Sequence, residues 1–184
     1  MDQFEWFYIG GDDLYVLPNN LRMYLASLAY MDGMSDPKKT EYYVGKRHKW
    51  KERGIYFNNG GSGYALSQAT LRKLLTVIDD DEHCAANVTT TMEDVMIAKC
   101  LKHFGIDLTD TRDFDGKERF HHFSPSKMFT LDMSRSNWYW EYNEEWGFKN
   151  GKDCRAPDTV SFHYVKQPAV ARQLHALLYH CPNQ

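Results

Sequence analysis

Apolar and aromatic residues come in short, separated runs along the chain. The run Phe4-Glu-Trp-Phe-Tyr-Ile9 is aromatic and β-branched enough for one buried strand, and residues 14–17 predict a second, shorter one. From Pro18 onward Leu21, Leu25 and Leu28 recur at helical spacing, with proline where a first helical turn tolerates it. Strands are predicted at 41–44 and 55–57, and helices near 67–79 and 91–104. Leu71, Leu74, Leu75 and Ile78 share one face of the first of these helices; Val95, Ile97, Ala98 and Leu101 mark the second. Thr90, three places before Glu93, has the form of a capping box that opens it. Residues 159–165 alternate, which predicts a strand with Val160, Phe162 and Tyr164 on one side and Ser161, His163 and Val165 on the other. A last helix from Pro168 carries Val170, Leu174, Leu177 and Leu178. Between them, residues 107–150 read as irregular and rich in aromatics and charge, the expected wall of a binding cleft.

Composition narrows the class without naming a chemistry. At 184 residues and 42% hydrophobic, the chain suits one globular unit with a sizeable core. Its net charge of −3 gives no basic footprint for nucleic acid, and Asp79-Asp80-Asp81-Glu82 is short enough to be a solvated helix end. No stretch approaches the roughly 20 apolar residues of a membrane span, and the first residues lack the basic and apolar regions of a signal peptide.

Chemistry concentrates at the ends of predicted elements. Asp12 and Asp13 follow Gly10-Gly11 at the end of the first strand, where two adjacent carboxylates are eased by a divalent cation or by hydrogen-bond donors. An ordinary Asp-rich turn looks the same. Gly60-Gly61-Ser62-Gly63 separates an aromatic strand from a helix and permits close approach to the backbone, but it is neither a dinucleotide fingerprint nor a phosphate loop. Glu93 and Asp94 occupy a first helical turn, a place carboxylates favour electrostatically and also one from which a general base can be held rigidly. His163 reads either as a hydrogen-bonded strand histidine or as an imidazole ligand beside carboxylate and phosphate, a set that suits Mn²⁺ better than Ca²⁺. The four cysteines, Cys84, Cys100, Cys154 and Cys181, form no Cys-x-x-Cys pair and allow three connectivities. Asn87-Val88-Thr89 is a glycosylation sequon, meaningful in a secretory compartment.

In order, Trp6-Phe7 through Asp12-Asp13-Leu-Tyr-Val16, Gly60-Gly61-Ser62-Gly63-Tyr64-Ala-Leu-Ser67, Glu93-Asp94 with Cys100 behind it, Asn137-Trp138-Tyr139-Trp140-Glu141-Tyr142-Asn143 and Ser161-Phe-His163-Tyr164-Val165 resemble the core 1 β1,3-galactosyltransferases, relatives of the Fringe enzymes among the inverting glycosyltransferases. The stretch from Arg112-Asp113 to Phe123 has the same look, so the resemblance covers nearly the whole chain. It implies an α/β fold of the GT-A type, a mixed sheet flanked by helices. Residues 1–184 would form the C-terminal portion of a single catalytic domain, since only eleven residues precede Asp12 while a nucleotide-binding βαβ unit takes about 30 or more.

By the same resemblance, Asp13 and His163 hold Mn²⁺ on the diphosphate, Asp12, Gly61 and Tyr164 face the donor UDP-galactose, and Asp94 is the catalytic base. Glu93, Trp138, Tyr139 and Trp140 would meet the acceptor, with N-acetylgalactosamine on Ser or Thr of a glycoprotein as the implied case. Cys84 and Cys100 match the family's paired cysteines, and Asn87 within their loop would carry a glycan. The implied setting is the lumenal side of the Golgi membrane, reached through an anchor upstream of this chain, with homodimers expected. One departure is Gly11, where the family has a third aspartate; the metal loses a carboxylate contact there. The fragment alone is expected neither to bind UDP tightly nor to turn over. The other reading is a non-catalytic relative, a truncated pseudoenzyme with a chaperone or glycan-binding role.

Overall fold

The computed structural model describes residues 2–130, 138–147 and 149–180. In chain order, β1 (Trp6–Ile9), β2 (Tyr15–Val16) and α1 (Pro18–Met31) lead into β3 (Tyr43–Gly45), β4 (Arg47–Trp50), β5 (Ile55–Asn58) and β6 (Tyr64–Ser67). Then follow α2 (Gln68–Val77), α3 (Glu93–His103), β7 (Leu108–Thr109), β8 (Phe120–His121), α4 (Pro125–Thr130), α5 (Trp138–Glu141), β9 (Ser161–Phe162) and α6 (Pro168–Tyr179). A four-stranded sheet runs β1-β6-β3-β7, in which only the β3–β7 pair is parallel. A three-stranded sheet runs β2-β9-β8, antiparallel then parallel, and β4-β5 form a hairpin. This is the mixed α/β architecture expected.

Four of these strands, β4, β6, β7 and β8, escape a periodic reading. All four residues of β6 are buried, because β6 is central in its sheet, so no polar alternation marks it. Strand β4 carries Arg47, His48 and Lys49, and it is held by pairing with β5 and by packing of His48 on Phe57 rather than by apolar character. Strand β8, paired only with β9, lies within the segment read as irregular, which also contains β7, α4 and α5.

Other expectations change in detail. No capping box forms at α3: the N-cap is Met92 without a side-chain bond, and the Thr90 hydroxyl instead accepts from the Met92 amide at 3.0 Å. Ser67 is the cap that forms, on α2, accepting from the Thr70 amide at 3.2 Å. The inward face of α2 is Leu71, Leu74 and Val77; Leu75 and Ile78 are exposed. The strand predicted at 159–165 ends at Phe162, since Tyr164 takes a left-handed conformation at φ 56° and breaks the alternation. On α6, Val170 and Leu174 pack inward while Leu177 and Leu178 face solvent.

The core on one side of the main sheet gathers Tyr43, Tyr64, Leu66, Leu74, Val95 and Leu101. Into it runs the Cys84–Cys100 disulfide, with Cα atoms 4.4 Å apart, tying the loop that bears exposed Asn87 to α3. Cys154 is a buried free thiol, and Cys181 lies outside the described residues. A buried ion pair crosses the fold: Lys46 Nζ stands 2.6 Å from Glu118 Oε1, joining the β3–β4 turn to the approach to β8. No helix among the described residues is long and apolar enough to cross a membrane.

Candidate active site

The pairing of β2 with β9 builds the first half of the site. Tyr15 lies opposite Phe162 and Val16 opposite Ser161; continuing that register past the strand ends sets Leu14 opposite His163 and Asp13 opposite Tyr164. The Val165 amide donates to the Asp13 carbonyl at 2.8 Å and the His163 amide to the His121 carbonyl at 3.0 Å, which fixes both backbones. As a result His163 Nε2 stands 3.1 Å from Asp13 Oδ1, although the residues are 150 positions apart.

The glycine loop supplies the second half. A methyl group on Gly61 would overlap the His163 ring, so only glycine lets the imidazole lie on this backbone. One residue earlier, the Gly60 amide donates to Asp94 Oδ2 at 2.9 Å, while the Val95 amide donates to Asp94 Oδ1 at 2.8 Å. A Cβ on Gly60 would press on Glu93 and Asp94. The loop's next carbonyl, that of Ser62, accepts from Tyr8 Oη at 2.8 Å and from Ser161 Oγ at 2.6 Å. Thus β1, β9 and the start of α3 all clamp one four-residue turn, and the Asp13–His163 pair and Asp94 meet at its neighbouring residues Gly61 and Gly60. Gly61→Ala is expected to force the ring away and to cost about 1–3 kcal/mol as an overpacking change. Urea unfolding reads this as a lower midpoint, and an unchanged midpoint would show that the ring leaves freely.

Burial sets the protonation states. It raises the Asp94 carboxyl above the usual range, against the pull of the two amide bonds; Glu93 is raised by burial and then by the neighbouring Asp94 charge. Burial lowers His163, with Asp13 opposing, which favours a neutral imidazole able to ligate. His163 Nδ1 is buried without a hydrogen-bond partner among the described residues. A carboxylate oxygen and a neutral imidazole nitrogen at 3.1 Å fit adjacent positions on one divalent ion of the Mn²⁺ kind. Among the described residues no group of three or more His, Cys, Asp or Glu could hold a metal, so this pair would need diphosphate or water to complete the coordination.

The remaining expected site residues separate by burial. Asp12 is exposed at the turn, Gly11 beside it has room for a side chain, and Tyr164, 42% exposed, stacks on His163 with ring centroids 3.8 Å apart. Trp138 is 47% exposed, and Trp140 is half-buried against the cluster of Met128, Cys154 and Phe162. Tyr139, expected to meet an acceptor, is instead 1% exposed within that cluster, so its ring cannot stack on a sugar in this structure. Asn137 lies outside the described residues.

His122 is the site neighbour the sequence did not single out. It is 6% exposed, sits 5.1 Å from the Trp138 ring and 5.5 Å from His163, and among the described residues neither ring nitrogen has a hydrogen-bond partner. Burial holds it neutral, with its pKa pushed down to about 3. The only hint in the sequence is the pair of histidines, His121 and His122, between Phe120 and Phe123.

Two sheets meet at a glycine turn that carries a carboxylate–imidazole pair and a helix-start carboxylate, which agrees with the α/β domain of the GT-A type that the resemblance implies. The Fringe-like family profile matches residues 1–180, and the chain belongs to that family. It is 31% identical over 182 residues to glycoprotein-N-acetylgalactosamine 3-beta-galactosyltransferase 1 of Xenopus laevis, covering 98% of this chain and 47% of the frog protein. It is also 26% identical over 180 residues to chondroitin sulfate synthase 3 of Mus musculus, and 24% identical over 184 residues to that of Homo sapiens. Those two matches each cover 95% of this chain and 18% of the relative, so the chain spans half or less of the length of the curated relatives it matches.

Proposed function

We propose that the chain forms the metal- and acceptor-facing part of an inverting glycosyltransferase that moves galactose from UDP-galactose to O-linked N-acetylgalactosamine or a related glycan. The observation that supports it most is the meeting of Asp13–His163 and Asp94 on one glycine turn, beside an exposed Trp138. Asp13 and His163 would hold Mn²⁺, which when bound neutralises charge developing on the diphosphate leaving group. Asp94 takes the proton of the acceptor hydroxyl as its oxygen attacks the anomeric carbon from the face opposite UDP; the bond to the diphosphate oxygen breaks and configuration inverts. The two amides on Asp94 hold its carboxylate still for that transfer. Trp138 and Tyr164 offer exposed rings to apolar sugar faces. The Cys84–Cys100 disulfide and the Asn87 sequon suit a lumenal setting such as the Golgi.

Because the chain spans 47% of the frog relative, the test replaces the matching 182 residues of that protein with this chain. Incubated with UDP-galactose, Mn²⁺ and a glycopeptide bearing N-acetylgalactosamine, the chimera is expected to form a β-linked galactosyl product and to lose activity with EDTA. A folded chimera that binds UDP and Mn²⁺ but transfers to no acceptor would favour the non-catalytic reading, to which the missing carboxylate at Gly11 already lends weight.

A further inference from the structure

Two further histidines stand in a row behind the Asp13–His163 pair. His48, on β4, is 1% exposed, and His122 is nearly as deeply buried. The centre of the His122 ring lies 5.5 Å from that of His48 and 5.5 Å from that of His163, with interplanar angles of 75° and 87°. Both ends of the row are tied: His48 Nδ1 lies 3.3 Å from Asn143 Nδ2, and His163 Nε2 lies 3.1 Å from Asp13 Oδ1. The remaining nitrogens are not, since among the described residues His48 Nε2, both nitrogens of His122 and His163 Nδ1 are buried without a hydrogen-bond partner. Buried polar atoms are rarely left so, and these four are the ones that two bonds through His122 would join.

The spacing suits such bonds. An N–H···N bond of about 3 Å between two imidazoles sets their centres about 5 Å apart, and a half-turn of a ring about its Cβ–Cγ axis exchanges nitrogen with carbon while moving the centre little. Burial lowers the pKa of all three histidines, that of His122 to about 3, so each ring is neutral, with one N–H to give and one nitrogen to accept. Asn143 fixes the direction. Its amide nitrogen donates to the Tyr139 carbonyl at 2.6 Å, which leaves the second hydrogen of that nitrogen for His48 Nδ1 and makes Nδ1 the acceptor. A neutral His48 then carries its proton on Nε2.

We propose that His122 and His48 are positioning residues, linked in a one-way hydrogen-bonded relay from Asn143 to Asp13 that sets the tautomer of His163. His48 Nε2–H donates to one nitrogen of His122, the other nitrogen of His122 donates to His163 Nδ1, and His163 Nε2–H donates to Asp13. The relay follows from the packing of these rings and does not depend on the transfer reaction; only its bearing on a metal rests on the function proposed above. Ligation of an ion through His163 Nε2 needs the proton on Nδ1 instead, against the donor on His122, so the relay favours the pair without its ion.

The test is nitrogen NMR of the ¹⁵N-labelled chain at neutral pH, which reads the tautomer of each histidine and detects N–H···N bonds as nitrogen–nitrogen couplings across the hydrogen. Couplings are expected from His122 to both His48 Nε2 and His163 Nδ1, with the proton on Nε2 in both outer rings. His122→Phe should remove both couplings and shift the His163 Nδ1 resonance to that of an acceptor without a donor, while His48 keeps its tautomer. His122→Gln, whose amide accepts at one atom and donates from the other, should restore the His163 resonance, which a role in packing alone would not predict. Absent couplings in the unaltered chain, a proton on Nδ1 of His48 or of His163, or a His163 resonance that the Phe variant leaves unmoved would overturn the relay. None of these readings uses UDP, metal or an acceptor, so the relay can fail while the transfer reaction stands.

Discussion

Asp94→Asn, introduced into the chimera with the frog relative, is expected to lower turnover about 10²–10⁴-fold, the range for loss of a general base. The variant keeps the shape of the side chain and one oxygen for the Gly60 amide; its NH₂ cannot accept from the Val95 amide, but the contacts that hold the Asp13–His163 pair are separate and stay in place. UDP affinity measured by calorimetry should therefore barely change, which separates loss of chemistry from loss of binding. In the unaltered chimera, burial of Asp94 raises its pKa, so the acidic limb of the rate profile should fall at higher pH than an exposed aspartate would give. Full turnover by the Asn variant would remove Asp94 from the role of base.

Lys46→Met is expected to destabilise the chain itself by about 3–5 kcal/mol, a large share of the roughly 5–15 kcal/mol that holds such domains together. The methionine fills nearly the same space but strands the Glu118 carboxylate, itself buried, without the ammonium 2.6 Å away. Burial already lowers the Lys46 pKa, with Glu118 opposing, so the pair persists because each charge answers the other. Replacing both, as Lys46→Met with Glu118→Leu, should recover most of the loss. Urea unfolding monitored by tryptophan fluorescence measures all three proteins. A single-variant cost under about 1 kcal/mol would mean that the pair is solvated and contributes as little as an exposed one.

Local pattern fixed much of this molecule. The aromatic run of β1, proline at the head of α1, the spacing of Val95, Ala98 and Leu101 and the carboxylates in the first turn of α3 are short-range features, and short-range sterics and periodicity decide them. Ordered motifs also brought Asp13, Asp94 and His163 to notice together, because residue types suited to metal and proton chemistry stood at predicted element ends. What pattern could not supply was their meeting: the 3.1 Å approach of Asp13 and His163 depends on the antiparallel register of β2 with β9 and on a ring lying on Gly61, both contacts between distant segments. The same limit hid β6, whose burial on both faces erases alternation, and Lys46, whose place in the interior follows from a partner 72 positions away. It also misplaced Tyr139, since one aromatic block supplies an exposed ring at Trp138 and a core ring at the next residue, and only packing against Met128, Cys154 and Phe162 settles which is which.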